Sequence, residues 1–197
     1  LKLAQTEQPE TFAIKPTDFN GIYLPRLLVN EGDIVKAGSP LFHDKKNENI
    51  IFTSPVSGEV VEVKRGEKRK LLEVKILADR TVEHLPFTKF SVSEIANVSR
   101  EDAQAHILKS GVWLNLIQRP FGVVADPAET PKSIFISGFD SHPLAPEYNF
   151  LFSGQEQFFQ AGVDILKKPK RGLQHGYKVA FENEWVPHHP QSGGDPA

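Results

Sequence analysis

Short apolar runs separated by turn residues dominate the first third of the chain. The clearest are Val29–Leu41 and Ser54–Val63, in which Val, Ile and Leu alternate with Gly-Asp, Ala-Gly and Ser-Gly steps. A weaker copy follows, with Gly66-Glu67 standing where the first run has Gly32-Asp33. Short β-branched runs bounded by glycine and proline are typical of brief strands joined by tight turns, so this region is predicted to be a sheet structure without helices.

Two similar half-units facing each other would close a small flattened barrel. The repeated pattern predicts such a barrel from about Phe12 to Leu77, with Gly32 and Gly66 at equivalent turns and with pseudo-twofold halves. This arrangement resembles the biotinyl/lipoyl-like barrel-sandwich hybrid. The resemblance raises the question of whether a lysine at the hairpin tip carries a cofactor.

Asp44-Lys45 lies about where lipoyl carriers present their Asp-Lys pair, which would make Lys45 a swinging arm. The alternative makes Lys45 and Lys46 solvated residues of a polar hairpin tip. Two adjacent lysines, and nine residues between Lys45 and Pro55, favour the second interpretation. Biotin carriers use Met-Lys-Met, which a chain without methionine cannot supply.

After residue 87 the pattern changes from short strands to alternating helices and strands. Acidic residues after Ser99 suit the first turn of a helix, and Lys167-Lys168 followed by Pro169 suits the end of another. Helix, strand, helix, strand is the pattern of half an open α/β sheet. The elements predicted in the chain are a strand at 11–14, a helix from Ser99 to Lys109 closed by Gly111, one or two further turns at 112–118, a strand at 133–137, an amphipathic helix from Gln155 to Lys168 and a parallel strand at 177–181.

The predicted fold class is therefore mixed α and β. We assign residues 1–87 to a lipoyl-like barrel-sandwich hybrid domain and residues 88–197 to an incomplete Rossmann-like α/β domain with an unassigned tail. A chain of 197 residues is long enough for two such cores. It begins at Leu1 and lacks methionine, so we expect a fragment of a longer protein.

Composition excludes several function classes. The net charge of −2 provides no overall basic field for nucleic acid, and no run approaches the roughly 18 apolar residues of a membrane span. Without cysteine there are no disulfides, thiolate metal sites or cysteine nucleophiles.

Three other clusters of polar residues give weak chemical signals. His142, His188 and His189 lack acidic or cysteine ligands at supporting spacings, so no metal site is predicted. Ser137, Asp140 and His142 lie close in sequence but have no Gly-x-Ser-x-Gly elbow, so no catalytic triad is predicted. A basic run could contact a partner or phospholipid headgroups, or be a solvated turn; it comprises Lys64, Arg65, Lys68, Arg69 and Lys70.

Six motifs, taken together and in order, resemble the NqrA family, the A-subunits of the sodium-translocating NADH:quinone oxidoreductases. The resemblance covers about residues 11–168 and weakens beyond Pro169. The motifs are Phe42–Asn47, Phe52–Gly58, Val63–Arg69, Ser110–Trp113, Arg119–Phe121 and Phe139–Ala145.

The resemblance implies a peripheral subunit on the cytoplasmic side of the bacterial inner membrane. Its partners would be the other subunits of the complex and a quinone, ubiquinone or menaquinone, and it would meet the membrane only through the complex. The enzyme would be a sodium-translocating NADH:quinone reductase. This fragment would contribute to quinone binding and to assembly of the complex, and it would supply no catalytic residues. A lipoyl-type covalent carrier and a non-catalytic docking adaptor are the alternatives.

We predict no flavin or nicotinamide on this chain, and no other tightly bound cofactor. Phosphate binding requires a glycine-rich turn entering a helix, whereas the turn after the 133–137 strand, Gly138–Pro143, has one glycine and a proline.

A quinone requires an apolar, aromatic-lined cleft with one or two donors for its carbonyl oxygens. Two loops pair an aromatic residue with a small residue and polar donors, so they are the candidate quinone site. If they form that site, they should lie close together at the seam between the two domains; their alternative role is interdomain packing. The candidate residues are Phe19, Asn20, Gly21, Arg119, Phe121 and Gly122.

Overall fold

Strands dominate the chain up to residue 78, and α-helices begin at residue 92. The computed structural model describes residues 7–138, 140 and 142–168, and the backbone of 178–182. The strands are β1 (Thr11–Ile14), β2 (Pro25–Leu27), β3 (Ile34–Val35), β4 (Pro40–Asp44), β5 (Ile51–Thr53), β6 (Gly58–Arg65), β7 (Leu71–Ala78), β8 (Ile117–Gln118), β9 (Val123–Val124), β10 (Ser133–Ser137) and β11 (Lys178–Glu182). The α-helices are α1 (Val92–Ile95), α2 (Arg100–Lys109), α3 (Tyr148–Phe152) and α4 (Glu156–Leu166), and short 3-10 turns occur at Pro16–Asp18, Glu67–Arg69 and Val112–Asn115.

Two antiparallel sheets build the N-terminal domain. One has the strand order β1-β7-β6-β3 and the other β2-β4-β5. The long β6–β7 hairpin forms the centre of the first sheet. Two bulges, one between Val60 and Glu62 and one between Lys64 and Arg65, bend this hairpin. Side chains alternate along these strands between the interior and solvent, as expected for sheets with one buried face.

The core lies between these two sheets. Its fully buried side chains include Leu41, Phe42, Phe52, Val74 and Ile76. The rings of Phe42 and Phe52 stack with their centroids 4.4 Å apart. Burying each such side chain contributes roughly 1.5–3 kcal/mol, so this cluster is the main source of the domain's stability.

The segment 101–130 packs with the barrel. Leu108 of α2 and Val124 of β9 belong to the barrel's core cluster, and Trp113 packs against it. Gly111 has φ +77°, and a Cβ there would lie 2.5 Å from the Thr53 hydroxyl, so this close approach to β5 requires glycine. By compactness, the described residues divide into two units: 7–89 with Glu101–Thr130, and Phe90–Arg100 with the described residues from Pro131 onward.

The second unit is an α/β arrangement. Strands β10 and β11 pair in parallel, with Ser133 opposite Lys178. Between them along the chain come α3 and α4, and α1 packs on α4. A capping box begins α1, since Ser91 and Glu94 exchange hydrogen bonds with each other's backbone.

The structure confirms most elements predicted from the sequence. The strands at 11–14 and 133–137, the helices ending at residues 109 and 166, and the parallel strand after residue 177 are all present. No α-helix interrupts residues 27–77. One expectation is wrong: Gly32 has φ +89°, but Gly66 has φ −101°, because Lys68 and Arg69 make the left-handed turn there. The two glycines are therefore not at equivalent turns.

The expected boundary at residue 87 stays a prediction. Residues 101–130, which the sequence analysis places in the second domain, pack with the barrel. None of the helices formed by the described residues is long and apolar enough to cross a bilayer.

Candidate functional site

The first predicted loop, Phe19-Asn20-Gly21, lines a small cleft on the barrel unit. The loop follows a 3-10 turn in which Phe19 N donates to Pro16 O over 3.2 Å. The cleft has a volume of about 130 Å³. Its walls combine apolar residues with a few polar ones: Pro16, Thr17, Phe19, Asn20, Gly21, Ile22, Tyr23, Pro25, Lys70 and Leu71.

Strand β9, which directly follows the second predicted loop, touches the first loop. Val124 N donates to Asn20 O over 3.0 Å. Gly21 has φ +91°, and a Cβ on it would lie 2.9 Å from the Val123 Cβ. This contact therefore depends on glycine at position 21.

Arg119, Phe121 and Gly122 form the tip of a small hairpin. Strands β8 and β9 pair antiparallel, and Gly122 N donates to Gln118 O over 3.0 Å. The turn contains a cis peptide between Arg119 and Pro120. Phe121 is 77% exposed and, like Arg119, is absent from the walls of the cleft. Both loops therefore belong to one compact unit, and β9 beside the second loop packs on the first, but Phe121 does not line the cleft.

Phe19 has a packing role in addition to its place in the cleft wall. Its ring meets the edge of Phe52 with centroids 4.9 Å apart, and it packs against the core cluster. Trp113 is half-buried and donates its indole N–H to Ala125 O over 2.8 Å. These contacts support a structural contribution from both rings.

The cleft can offer donors to a carbonyl-bearing ligand. The Tyr23 hydroxyl, the Lys70 ammonium and the Asn20 amide are all donor-bearing groups at its walls. Its volume is below the roughly 300 Å³ at which ligand pockets usually begin, so in this conformation it accommodates only part of a ligand. Tyr23 and Lys70 are not among the residues predicted for this site, because only the fold brings the β6–β7 turn beside residues 16–25.

The hairpin tip with the two lysines is exposed, as the solvated interpretation requires. Lys45 and Lys46 follow β4 directly, whereas Asp44 is buried and accepts a hydrogen bond from Lys46 N. Lys46 Nζ lies 5.6 Å from the centroid of the Tyr23 ring. An exposed lysine at a hairpin tip is also the position that a covalent carrier requires.

Asp140 and His142 make a local turn. One Asp140 carboxylate oxygen accepts from His142 N at 3.0 Å and lies 2.6 Å from His142 Nδ1. The backbone hydrogen bond, followed by the side-chain one, lowers the pKa of Asp140. Within the described part of the chain no three His, Asp or Glu side chains cluster as metal ligands, and His188 and His189 lie outside that part.

The fold defines a barrel-sandwich hybrid domain followed by an α/β domain. Residues 2–79 match the family model for the NqrA N-terminal barrel-sandwich hybrid domain, and residues 98–186 match that for the NqrA second alpha/beta domain. The chain belongs to the NqrA family.

Curated relatives share this similarity across both domains. The A-subunit of the Na(+)-translocating NADH-quinone reductase from Yersinia pseudotuberculosis serotype O:1b (strain IP 31758) is 36% identical over 179 residues, 88% of this chain and 40% of the relative. Proteins of the same name from Serratia proteamaculans (strain 568) and Actinobacillus pleuropneumoniae serotype 5b (strain L20) are 38% and 35% identical, covering 81% and 86% of this chain and 36% and 38% of the relatives. The chain thus spans about two fifths of the length of these relatives.

Proposed function

We propose that this chain is the N-terminal part of the A-subunit of a Na(+)-translocating NADH:quinone reductase. The observation that carries this proposal is the ordered match of both domains to relatives bearing that name. Its partners are then the other subunits of that complex, and its place is peripheral, on the cytoplasmic side of the bacterial inner membrane.

Within the complex, the chain contributes to quinone binding and to assembly. Support comes from the cleft beside residues 19–21, where an aromatic wall stands next to the donors of Asn20, Tyr23 and Lys70. The exposed Phe121 ring on the adjoining hairpin offers a second aromatic surface. Ubiquinone or menaquinone would enter this region as substrate.

Steady-state kinetics of the intact complex test this role. Phe121→Ala and Asn20→Ala should each raise the quinone KM about fivefold, since one aromatic or hydrogen-bond contact is worth about 1 kcal/mol. The rate of NADH-to-flavin transfer should not change. Phe158→Ala, which removes another exposed ring, is the control. An unchanged quinone KM in both site variants would contradict the assignment of these loops.

Cofactor content is tested on the full chain alone. We expect no thermal stabilisation by FMN or NADH, because the turn after β10 lacks a glycine-rich phosphate cradle. Stoichiometric flavin after purification would overturn this expectation.

The carrier alternative is favoured by one specific feature, the exposure of Lys45 at a hairpin tip. Intact-mass measurement of protein from its native host decides between the two functions. A lipoyl or biotinyl adduct on Lys45 would establish a covalent carrier, and an unmodified mass would exclude it.

A further inference from the structure

Two apolar side chains are held out from the barrel near the β4–β5 hairpin. Tyr23 is 67% exposed and Leu24 is 54% exposed. The backbone is fixed at this point, because Lys45 N donates to Leu24 O over 3.0 Å and Pro25 pairs with Asp44. The exposure is therefore imposed by the fold.

Basic side chains surround this apolar pair. Lys46 lies over the Tyr23 ring, and Lys70 borders the cleft that Tyr23 lines. On the other side, Arg26 and Lys45 line an open groove of about 320 Å³ together with Leu24 and Pro25. We call this surface the basic face: Tyr23, Leu24, Arg26, Lys45, Lys46 and Lys70.

The cations of the basic face have no acidic partner within the described residues. The ion pairs found there involve Lys36, Lys75 and His142. The turn that bears Lys70 adds further positive charge, since residues 64–70 contain five lysines and arginines and one glutamate. A chain with a net charge of −2 thus concentrates unpaired positive charge at one place.

We propose that the basic face binds directly to an anionic phospholipid surface. Lysine and arginine would contact the headgroups, while Tyr23 and Leu24 enter the interfacial layer, where tyrosine is enriched. A preformed protein partner fits less well, because lysine is depleted from protein–protein interfaces, whereas long flexible lysine chains suit mobile headgroups. This contact goes beyond the expectation of membrane association through the complex alone, and it does not depend on the proposed function.

Vesicle co-sedimentation of the full chain tests the proposal. The chain should bind phosphatidylcholine vesicles that contain phosphatidylglycerol, and added salt should weaken this binding. Vesicles of phosphatidylcholine alone should retain little protein. Each basic residue near an anionic surface contributes about fivefold in affinity, so Lys45→Gln with Lys70→Gln should weaken binding about 25-fold.

Matched variants separate this surface from charge in general. Lys89→Gln with Lys132→Gln removes the same charge from exposed positions elsewhere and should change affinity less than about twofold. Leu24→Ser keeps the charge and should weaken binding about fivefold or more, since it removes apolar area from the interface. Circular dichroism shows whether each variant is folded, and the substituted side chains are exposed enough for all of them to fold.

Three results would overturn the proposal. The first is a failure of the chain to sediment with anionic vesicles, and the second is equal loss of binding in the two lysine double variants. The third is binding to poly-glutamate but not to vesicles, with the same dependence on Lys45 and Lys70. That third result would make the basic face a docking surface for an acidic protein segment.

Discussion

The barrel encloses two phenylalanine rings completely, whereas the described part of the α/β region encloses no aromatic ring. In the barrel, Phe42 and Phe52 are completely buried and stack on each other. In the α/β region, Phe135 of β10 is 63% exposed and Phe158 of α4 is 60% exposed. The barrel thus gains its stability from an enclosed core, whereas the α/β region leaves much of its apolar area in contact with solvent.

The difference follows from how each region covers its sheets. Two sheets face each other in the barrel, so inward side chains are enclosed from both sides. Among the described residues of the α/β region, β10 pairs only with β11, and the helices bury few large side chains. Apolar substitutions should therefore have unequal effects in the two regions.

The largest expected effect comes from Phe52→Ala. This variant removes a fully buried ring that contacts both Phe19 and Phe42, so it should lower the free energy of unfolding by about 3–5 kcal/mol. Phe158→Ala is the matched control and should change it by less than about 0.5 kcal/mol. Urea denaturation measures both, and equal effects would remove the contrast between the regions.

A backbone substitution in the barrel should come next. Gly58 has φ +152°, and a Cβ there would overlap Leu77 O on the paired strand. Gly58→Ala should therefore open the β6–β7 pairing at a cost of about 2–4 kcal/mol, from backbone strain and lost hydrogen bonds. Gly32→Ala is the control, because its Cβ would meet nothing within 4 Å and only its φ of +89° opposes the change. A larger loss at Gly32 would contradict this explanation.

Local patterns in the sequence predicted the elements of both regions. The strand Ser133–Ser137 and the helix Glu156–Leu166 were foreseeable because apolar periodicity and end signals are properties of neighbouring residues. The packing of residues 101–130 against the barrel was not foreseeable in this way. It depends on contacts such as Gly111 with Thr53, which lie far apart in the chain.

The candidate site was predictable only in part. Local sequence identified the loops at Phe19 and Phe121, and in the structure strand β9, which follows the second loop, contacts the first through Val124 and Asn20. The roles of the side chains depend on packing: Phe19 turns toward Phe52, and Phe121 stays exposed. Lys70 enters the cleft because β6 and β7 return the chain to this place, which periodicity alone does not reveal.

A smaller effect, in the opposite direction, is expected at the β6–β7 turn. Lys68 and Arg69 have φ of 53° and 62°, in the left-handed region that costs non-glycine residues roughly 1–2 kcal/mol. Lys68→Gly removes this strain but increases the entropy of the unfolded chain. The net result should be a rise in the free energy of unfolding of about 0.5–1 kcal/mol. Lys64→Gly, inside strand β6, should instead lower it. Thermal unfolding compares the two, and a loss of stability in Lys68→Gly would show that its side chain outweighs the backbone strain.

The smallest expected effects are losses of folding stability at low pH, and they begin at different pH values in the two regions. Partial burial, and then the charge of Lys109, lowers the pKa of His106 from its usual value of 6.5. As pH falls below about 6.5 the unfolded chain therefore takes up a proton that folded His106 resists, and stability is lost down to the folded pKa. A hydrogen bond from Lys75, and then its charge, lowers the pKa of Glu62 from 4.5. The stability that this pair adds is present above about 4.5 and is lost as pH falls through the folded value.

Amide hydrogen exchange measured at a series of pH values should show the pH range over which each region loses stability. The barrel should lose protection first, below about pH 6.5. The windows of the α/β region lie lower than that of His106, because the pKa of Glu94 is depressed from 4.5 and that of Asp140 from 3.8. His106→Gln should flatten the first barrel step and leave the one below about pH 4.5. Glu62→Gln should leave the first step and reduce the second, to which the lowered pKa of Glu83 beside Lys36 also contributes. If the barrel of His106→Gln still lost protection below about pH 6.5, that loss would not come from His106. The burial of the His106 imidazole would then not explain the difference between the two regions.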